Sequence, residues 1–236
     1  MSRGVGEFEV VQDAIPESLA LLVALITQLG DIWFVTLLLV ALFVRFDRDR
    51  IATVGGLAIG AIALVFAFKH LFALPRPNQP LIALETLPSL MQPVYAATGY
   101  SGGYGFPSGH AVVTTVVYLA LAETLSIGSR RQRYAGAAGL IALVSLSRIA
   151  LGLHFLVDVL AGIALSGVFL LGAYSLLARY RSAEQRRIVA LGVGVALAAV
   201  SVLVSGVHPE PLALFVSAVA IFVLSWLLGS SRTVPA

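Results

Sequence analysis

Long runs of apolar residues, separated by short polar segments, dominate the chain. Crossing a membrane as a helix takes roughly 20 predominantly apolar residues, with some latitude for tilt and for interfacial ends. Most of the runs reach that length once their flanks are included, so the pattern predicts about six to seven spans. The runs cover residues 34–44, 51–68, 111–125, 135–146, 157–178, 188–205 and 212–228. The predicted fold class is all-α, a polytopic transmembrane helix bundle.

The first 18 residues do not have the pattern of a secretory signal, because they lack a basic start followed by a compact apolar stretch. Apolar side chains recur there at helical spacing, at Phe8, Val11, Ile15, Leu19 and Leu22. This spacing predicts an N-terminal amphipathic helix at the membrane interface that leads into the first span. One long tilted helix over residues 19–44 fits nearly as well. Whether residues 8–28 are interfacial or part of the first span therefore stays open.

The composition agrees with a membrane protein. Hydrophobic residues make up 59% of the 236 positions and charged residues only 11%, whereas about 25% charge is usual in soluble chains. The mean hydropathy is +0.97. The absence of cysteine excludes disulfides, thiolate catalysis and cysteine-ligated metals.

Basic residues mark one side of the predicted bundle. Eleven of the 15 lie in alternate loops or at the carboxyl end, at Arg45, Arg48, Arg50, Arg130, Arg131, Arg133, Arg179, Arg181, Arg186, Arg187 and Arg232. The positive-inside rule makes these segments cytoplasmic, with the N-terminus outside and the C-terminus inside. The net charge of +3 then reflects loop anchoring. No basic stripe interleaved with aromatic residues indicates nucleic-acid binding.

The segment Pro107-Ser108-Gly109-His110 opens the third span on the predicted external side. Ser108 is suited to cap the helix, and the first backbone N–H groups, with the positive end of the helix dipole, form an anion site. Gly109 lets a phosphate approach the backbone closely. His110 stands beside that anion, where it could give a proton to a leaving oxygen.

A second group of polar residues follows the fourth span. The four-residue spacing of His154 and Asp158 places them on one helical face, where a carboxylate fixes the imidazole tautomer and makes the other ring nitrogen a better nucleophile or base. Arg148 adds a planar fork that matches phosphate oxygens. Lys69 and Arg76 are two further cations on the same side.

Each of these residues also has a structural interpretation. Lys69 alone is typical of a lysine whose ammonium reaches the interface, Arg76 of a loop arginine, and His154 with Asp158 of a pair at a helix start. A zinc site is a competing use of the two histidines and the aspartate. Their spacing fits no short zinc motif, and the neighbouring cations would repel a metal ion. We therefore expect no metal and no cofactor.

Taken together, these segments resemble the three signatures of the type 2 phosphatidic acid phosphatase (PAP2) superfamily. Lys69 with Arg76-Pro77 resembles the first, Pro107 to His110 the second, and Ser147-Arg148 with His154 and Asp158 the third. The resemblance implies a single membrane-embedded domain over residues 1–236, with its catalytic core at about 51–178 and extra C-terminal spans at about 188–228. Many membrane members place three spans before the first signature. Here two precede it and three follow the third.

The resemblance also implies a mechanism, a metal-independent hydrolysis in two steps. His154 would attack phosphorus to form a phosphohistidine, and Asp158 would orient its ring. His110 would protonate the leaving group and then activate water. The phosphoryl oxygens would be held by Lys69, Arg76, Ser108, Gly109 and Arg148.

We therefore expect a lipid phosphatase at the external face of the cell membrane. Its substrate is expected to be an isoprenoid pyrophosphate or a phosphatidate-like lipid, with a slight preference for the former. A lipid phosphotransferase that uses the same intermediate is one alternative. A non-enzymatic protein that binds or transports anionic lipids is another, although two histidines are not needed for binding alone. The oligomeric state stays open.

Overall fold

The computed structural model describes residues 3–77, 79–100 and 102–230, and within them every regular element is helical. The prediction of an all-α fold is confirmed. Three 3-10 turns, at Glu17–Leu19, Gln28–Gly30 and Leu84–Thr86, accompany ten α-helices. The helices are α1 Glu7–Asp13, α2 Ala20–Thr27, α3 Ile32–Arg45, α4 Arg48–Phe72, α5 Gln92–Gly99, α6 Gly109–Thr124, α7 Arg130–Ala150, α8 Leu156–Leu177, α9 Ala183–Ser205 and α10 Pro209–Ser230.

Fewer helices than predicted are long and apolar enough to cross a membrane by themselves. Among the described residues these are α4, α8, α9 and α10, and a bent pair that includes α2 and α3 makes a fifth. This measure gives four to five spans, roughly consistent with the predicted six to seven but fewer. The two remaining predicted spans correspond to α6 and α7, which fail this test for physical reasons. Helix α6 has only 16 residues, and α7 carries arginines near both of its ends. The chain is a multi-pass membrane protein.

The chain bends sharply just before the first predicted apolar run at residues 34–44. Residues Glu17–Gly30 and Ile32–Arg45 meet at an angle of 54°, so the single long helix over residues 19–44 is wrong. A Cβ atom at Gly30 would lie only 2.8 Å from the side chains of Thr114 and Val144. The chain thus turns where a glycine lets its backbone press against α6 and α7. Asp31 starts the next helix, because its carboxylate accepts a hydrogen bond from the backbone N–H of Trp33 at 3.4 Å.

Only the first part of the predicted N-terminal amphipathic helix forms, as α1, which ends at Asp13, and its Phe8 side packs on the protein. Phe8 lies against Phe155 with 5.6 Å between the ring centroids. The Glu7 carboxylate accepts a hydrogen bond from the backbone N–H of Leu156 at 3.1 Å. The amide of Gln12 donates to the carbonyl of Ala150. The N-terminal helix is therefore docked where α7 ends and α8 begins.

Helices α4, α6, α7, α8 and α9 run alternately up and down, so the bundle has two distinct ends. At one end Arg187 of α9 pairs with Asp49 of α4 at 2.6 Å, and Arg133 of α7 donates to the carbonyl of Ala122 in α6. The arginine-rich connections all lie at this end, which we call the basic end. Lys69, His110, Arg148 and Asp158 lie at the opposite end.

Small residues bring α4 and α9 into close contact. A Cβ atom at Gly56 would lie 2.6 Å from the backbone of Ala190, and one at Gly194 would lie 2.9 Å from the carbonyl oxygen of Gly56. Without these two glycines the helices could not approach this closely. The contact fixes α4, and therefore the position of Lys69 at its end.

The long connection between α4 and α6 is folded. It contains α5 and a small core in which Tyr95 is fully buried. That core also contains Ala20 and Ala24 of α2, and Leu151 and Leu153 of the turn before α8. The connection therefore supports the turn that carries His154.

Candidate active site

The candidate site lies where the ends of four bundle helices and the connection after α4 meet. His154 stands in the tight turn between α7 and α8, and Asp158 lies in the first turn of α8. Both side chains are almost completely buried. In the structure the His154 ring lies between Asp158 and Arg76. The charges of Lys69, Arg148 and His110 also act on this ring.

Asp158 faces one edge of the His154 ring. Its Oδ2 lies 3.6 Å from His154 Nδ1, which is longer than a hydrogen bond. Contacts of this kind often shorten when substrate binds. The same Oδ2 accepts the backbone N–H of Phe155 at 3.0 Å, and the backbone carbonyl of Asp158 accepts the N–H of Ser108 at 3.0 Å. The carboxylate is thus held at the start of α8 and tied to the start of α6.

The other ring nitrogen of His154 faces a cation. Arg76 Nη1 lies 3.0 Å from His154 Nε2, and because a guanidinium only donates, Nε2 carries a lone pair in this contact. Burial, with the positive charges of Arg148, Arg76 and Lys69, lowers the pKa of His154 well below its usual range. The ring is therefore neutral at pH 7, with its proton on Nδ1 toward Asp158.

Arg76 is fixed by the backbone around it. Its Nε donates to the carbonyl of Gly102 and its Nη1 to the carbonyl of Leu153, both at 3.0 Å. Gly102 and Leu153 also line an open pocket of about 460 Å³. Arg76 therefore bonds to two residues of the pocket wall.

The start of α6 contributes Ser108 and His110. Ser108 occupies the N-cap position, but its side chain makes no capping hydrogen bond, so the predicted capping role of its hydroxyl is wrong. Among the described residues its buried Oγ has no hydrogen-bond partner, which leaves the hydroxyl available to an anion. Gly109 is in the first turn, and a Cβ atom there would lie 3.3 Å from Val65.

Two further cations complete the group. Arg148 is buried at the end of α7, where Nη1 donates to Thr27 Oγ1 at 3.1 Å, and its Nε has no hydrogen-bond partner among the described residues. Lys69 is in the last turn of α4 and feels the charges of Arg76, Arg148 and Asp158. Neighbouring Ser147, by contrast, donates its hydroxyl to Val144 of its own helix.

Three polar residues near the site were missed by the sequence analysis. Arg3 lies 3.1 Å from Asp158 Oδ1 and donates to Oδ2 at 3.3 Å. Thr27 contacts Arg148, and Asp31 Oδ2 lies 3.9 Å from His110 Nε2. No short motif joins these residues to their partners. Only the position of Asp31 in an apolar segment was a signal, because carboxylates in membrane segments are often functional.

The remaining two histidines contact each other, although the sequence suggested no partner for either. The rings of His70 and His208 lie 5.0 Å apart between centroids, and His70 Nδ1 lies 2.9 Å from the carbonyl of Phe66. In the described part of the chain, no three His, Asp or Glu side chains form a group suited to a metal ion.

The sequence of this chain matches a known protein family. The sequence model of the PAP2 superfamily matches residues 50–182, more than half of the chain, so the protein belongs to the PAP2 superfamily. Over 99 residues it is 38% identical to a lipid A 4'-phosphatase of Porphyromonas gingivalis, and this match covers 41% of the chain and 37% of that protein. The chain thus spans little more than a third of this relative's length.

A solved structure has a similar fold. The crystal structure of Aquifex aeolicus LpxE aligns with a TM-score of 0.51 at 25% sequence identity. The alignment covers 72% of this chain and 96% of that chain.

Proposed function

We propose that this protein is a membrane lipid phosphatase that works through a phosphohistidine on His154. The contacts of the His154 ring carry the proposal. A buried, neutral imidazole has Asp158 on its Nδ1 side and a cation that can bind phosphate on its Nε2 side. This geometry supports a nucleophile on His154 with a group beside it that can bind the phosphate.

In the first step the lone pair of His154 Nε2 attacks phosphorus, and the bond from phosphorus to the leaving oxygen breaks. His110 gives its proton to that oxygen. Asp158 stabilises the positive charge that develops on the His154 ring. In the second step His110 takes a proton from water, the resulting hydroxide attacks phosphorus, and the phosphorus–nitrogen bond breaks to restore His154.

The cations stabilise charge on the phosphoryl oxygens during both steps. Arg76 is already at His154 Nε2, so a phosphate that approaches the nucleophile meets its guanidinium. Arg148 and Lys69 add two charges, and the Ser108 hydroxyl and the N-terminus of α6 add hydrogen-bond donors. This proposal involves no metal ion.

We place the site on the external side of the cell membrane, with the N-terminus outside and the C-terminus in the cytoplasm. The arginine-rich connections lie at the end of the bundle opposite the site, which supports this orientation through the positive-inside rule. The acyl or prenyl chains of a substrate would enter from the bilayer while its phosphate reaches the cations.

The substrate class is a membrane lipid with a terminal phosphate or pyrophosphate. The relative named as a lipid A 4'-phosphatase supports a phosphorylated glycolipid as one candidate. The pocket of about 460 Å³ beside Arg76 would hold a polar group attached to the phosphate. Isoprenoid pyrophosphates and phosphatidate-like lipids remain candidates on the family resemblance.

The test is phosphate release in detergent from a lipid A, an isoprenyl pyrophosphate and a phosphatidate, all with EDTA present. We expect release from at least one of them. His154→Ala should lose nearly all turnover, because removing one member of a group of cooperating catalytic residues removes most of the activity of the whole group. His208→Ala serves as the control, since this histidine contacts His70 and no proposed catalytic residue.

Three outcomes would contradict the proposal. They are activity that requires a divalent ion, full activity of His154→Ala, and wild-type protein that releases no phosphate from any of the three lipids. Transfer of the phosphoryl group to an added alcohol, in preference to water, would instead favour a phosphotransferase.

A further inference from the structure

The break between α2 and α3 brings a second carboxylate to the site. Asp31 Oδ2 lies 3.9 Å from His110 Nε2, and the Asp31 side chain is about 39% exposed. A Cβ atom at Gly30 would lie 3.1 Å from His110 Cδ2. The edge of the imidazole that carries Cδ2 and Nε2 therefore faces the Gly30–Asp31 corner.

Two contacts fix the position of the Gly30–Asp31 corner relative to His110. Asp31 Oδ1 accepts the backbone N–H of Trp33 at 3.4 Å, so one carboxylate oxygen starts α3 while the other is directed at His110. Gly30 presses against Thr114 and Val144, which sets the distance from the corner to α6. A carboxylate that caps a helix at a fixed corner is held in place more firmly than one on a free side chain.

The positive charges around His110 explain why a carboxylate beside its ring matters. Lys69 from α4, Arg76 from the connection and Arg148 from α7 all act on this ring. Three cations work against a proton on His110, which the proposed first step requires. Asp31 is the carboxylate within ion-pair distance of the ring, and its negative charge offsets this repulsion.

We infer that Asp31 is a positioning residue for His110, holding Nε2–H toward its carboxylate so that Nδ1 delivers the proton to the leaving oxygen. The arrangement repeats that of His154, whose Nδ1 faces Asp158 while Nε2 faces the phosphate-binding cation Arg76. Each histidine would thus have its own aspartate, one from the start of α8 and one from the corner before α3. This inference rests on the proposed phosphatase function.

The test uses leaving groups of different quality. Departure of an alkoxide requires a proton, whereas p-nitrophenolate leaves without one, so only an alkyl phosphate depends on His110 as an acid. We would measure kcat/KM, which reports events up to departure of the leaving group, for a short-chain alkyl phosphate and for p-nitrophenyl phosphate. Both would be measured in EDTA. Asp31→Asn removes the charge and keeps an N-cap side chain.

We expect kcat/KM of Asp31→Asn to fall about tenfold or more for the alkyl phosphate, within the range that general acid catalysis supplies. For p-nitrophenyl phosphate it should stay within about twofold of wild type. The control is Asp47→Asn, because Asp47 caps α4 in the same way by accepting the N–H of Arg50 at 3.0 Å. It lies at the basic end, and both rates should be unchanged.

Equal losses on both substrates, or no loss on either, would overturn the inference and leave the phosphatase proposal standing. If Asp31→Asn does not fold, Asp31→Ser also keeps a cap and should show the same selective loss. Failure of both to fold would make Asp31 a structural residue only and would overturn the inference. Wild-type protein that releases phosphate neither from these two substrates nor from any of the three lipids would overturn both proposals.

Discussion

Arg76 shows how a side chain at this site is fixed before any substrate arrives. Its guanidinium contacts two backbone carbonyls and His154 Nε2 at 3.0 Å. These contacts use the planar fork of an arginine, in which several donors point in fixed directions. A lysine at this position would supply the same charge from a single point.

We therefore expect Arg76→Lys to lower kcat/KM for phosphate release about 100-fold or more, similar to the loss of one oxyanion donor. Arg186→Lys is the control, because Arg186 also donates its Nε to a backbone carbonyl, that of Tyr180 at 2.9 Å, but lies at the basic end. If Arg76→Lys kept half of the wild-type kcat/KM, the planar set of guanidinium donors would not have the proposed role.

Sequence spacing was sufficient to predict the residues that have a partner nearby in the chain. His154 and Asp158 are one helical turn apart, so their contact follows from local geometry. Arg3 meets Asp158 across 155 residues, and Asp31 reaches His110 only because the first span breaks at Gly30. Contacts of this kind depend on how helices pack, which no short motif reveals.

At the scale of elements, glycines determine where helices meet. The α4–α9 contact requires a backbone approach that only Gly56 and Gly194 allow. The same applies to the corner at Gly30, whose close packing bends a segment for which the hydrophobic pattern left one long helix open as an alternative. Apolar length predicts that a helix exists, and small residues decide its path.

Gly56→Ala tests this packing. The added methyl group would lie 2.6 Å from the backbone of Ala190, so α4 and α9 must move apart. We expect a loss of about 1–3 kcal/mol in stability, measured as a lower apparent melting temperature in detergent. Gly55→Ala is the control, because a Cβ atom there meets nothing within 4 Å. An equal effect of both substitutions would contradict the packing account.

At the scale of the whole molecule, the candidate chemistry and the basic loops lie at opposite ends. The hydrophobic pattern predicted this separation, because each span reverses the chain direction and the arginines recur in alternate loops. The number of spans was harder to predict. Helix α6 is short and α7 is amphipathic, so neither passes a test for long apolar helices, although α6 is largely buried and α7 packs one face on the same core.

The absence of cysteine makes the orientation easy to test. Leu90, in the connection after α4, is 88% exposed, and Ile127, between α6 and α7, is 59% exposed. We expect a membrane-impermeant maleimide to label Leu90→Cys in intact cells. It should label Ile127→Cys only after the membrane is disrupted. The reverse pattern would place the site on the cytoplasmic side.

In the proposed mechanism His154 carries the phosphoryl group between substrate and water. The most direct measurement is rapid acid-free quenching of the enzyme with a lipid phosphate labelled at phosphorus, followed by analysis of the protein. We expect label on His154 that is stable in base and lost in acid. The His154→Ala variant should carry no label. Turnover of the wild type without any labelled histidine would contradict this mechanism.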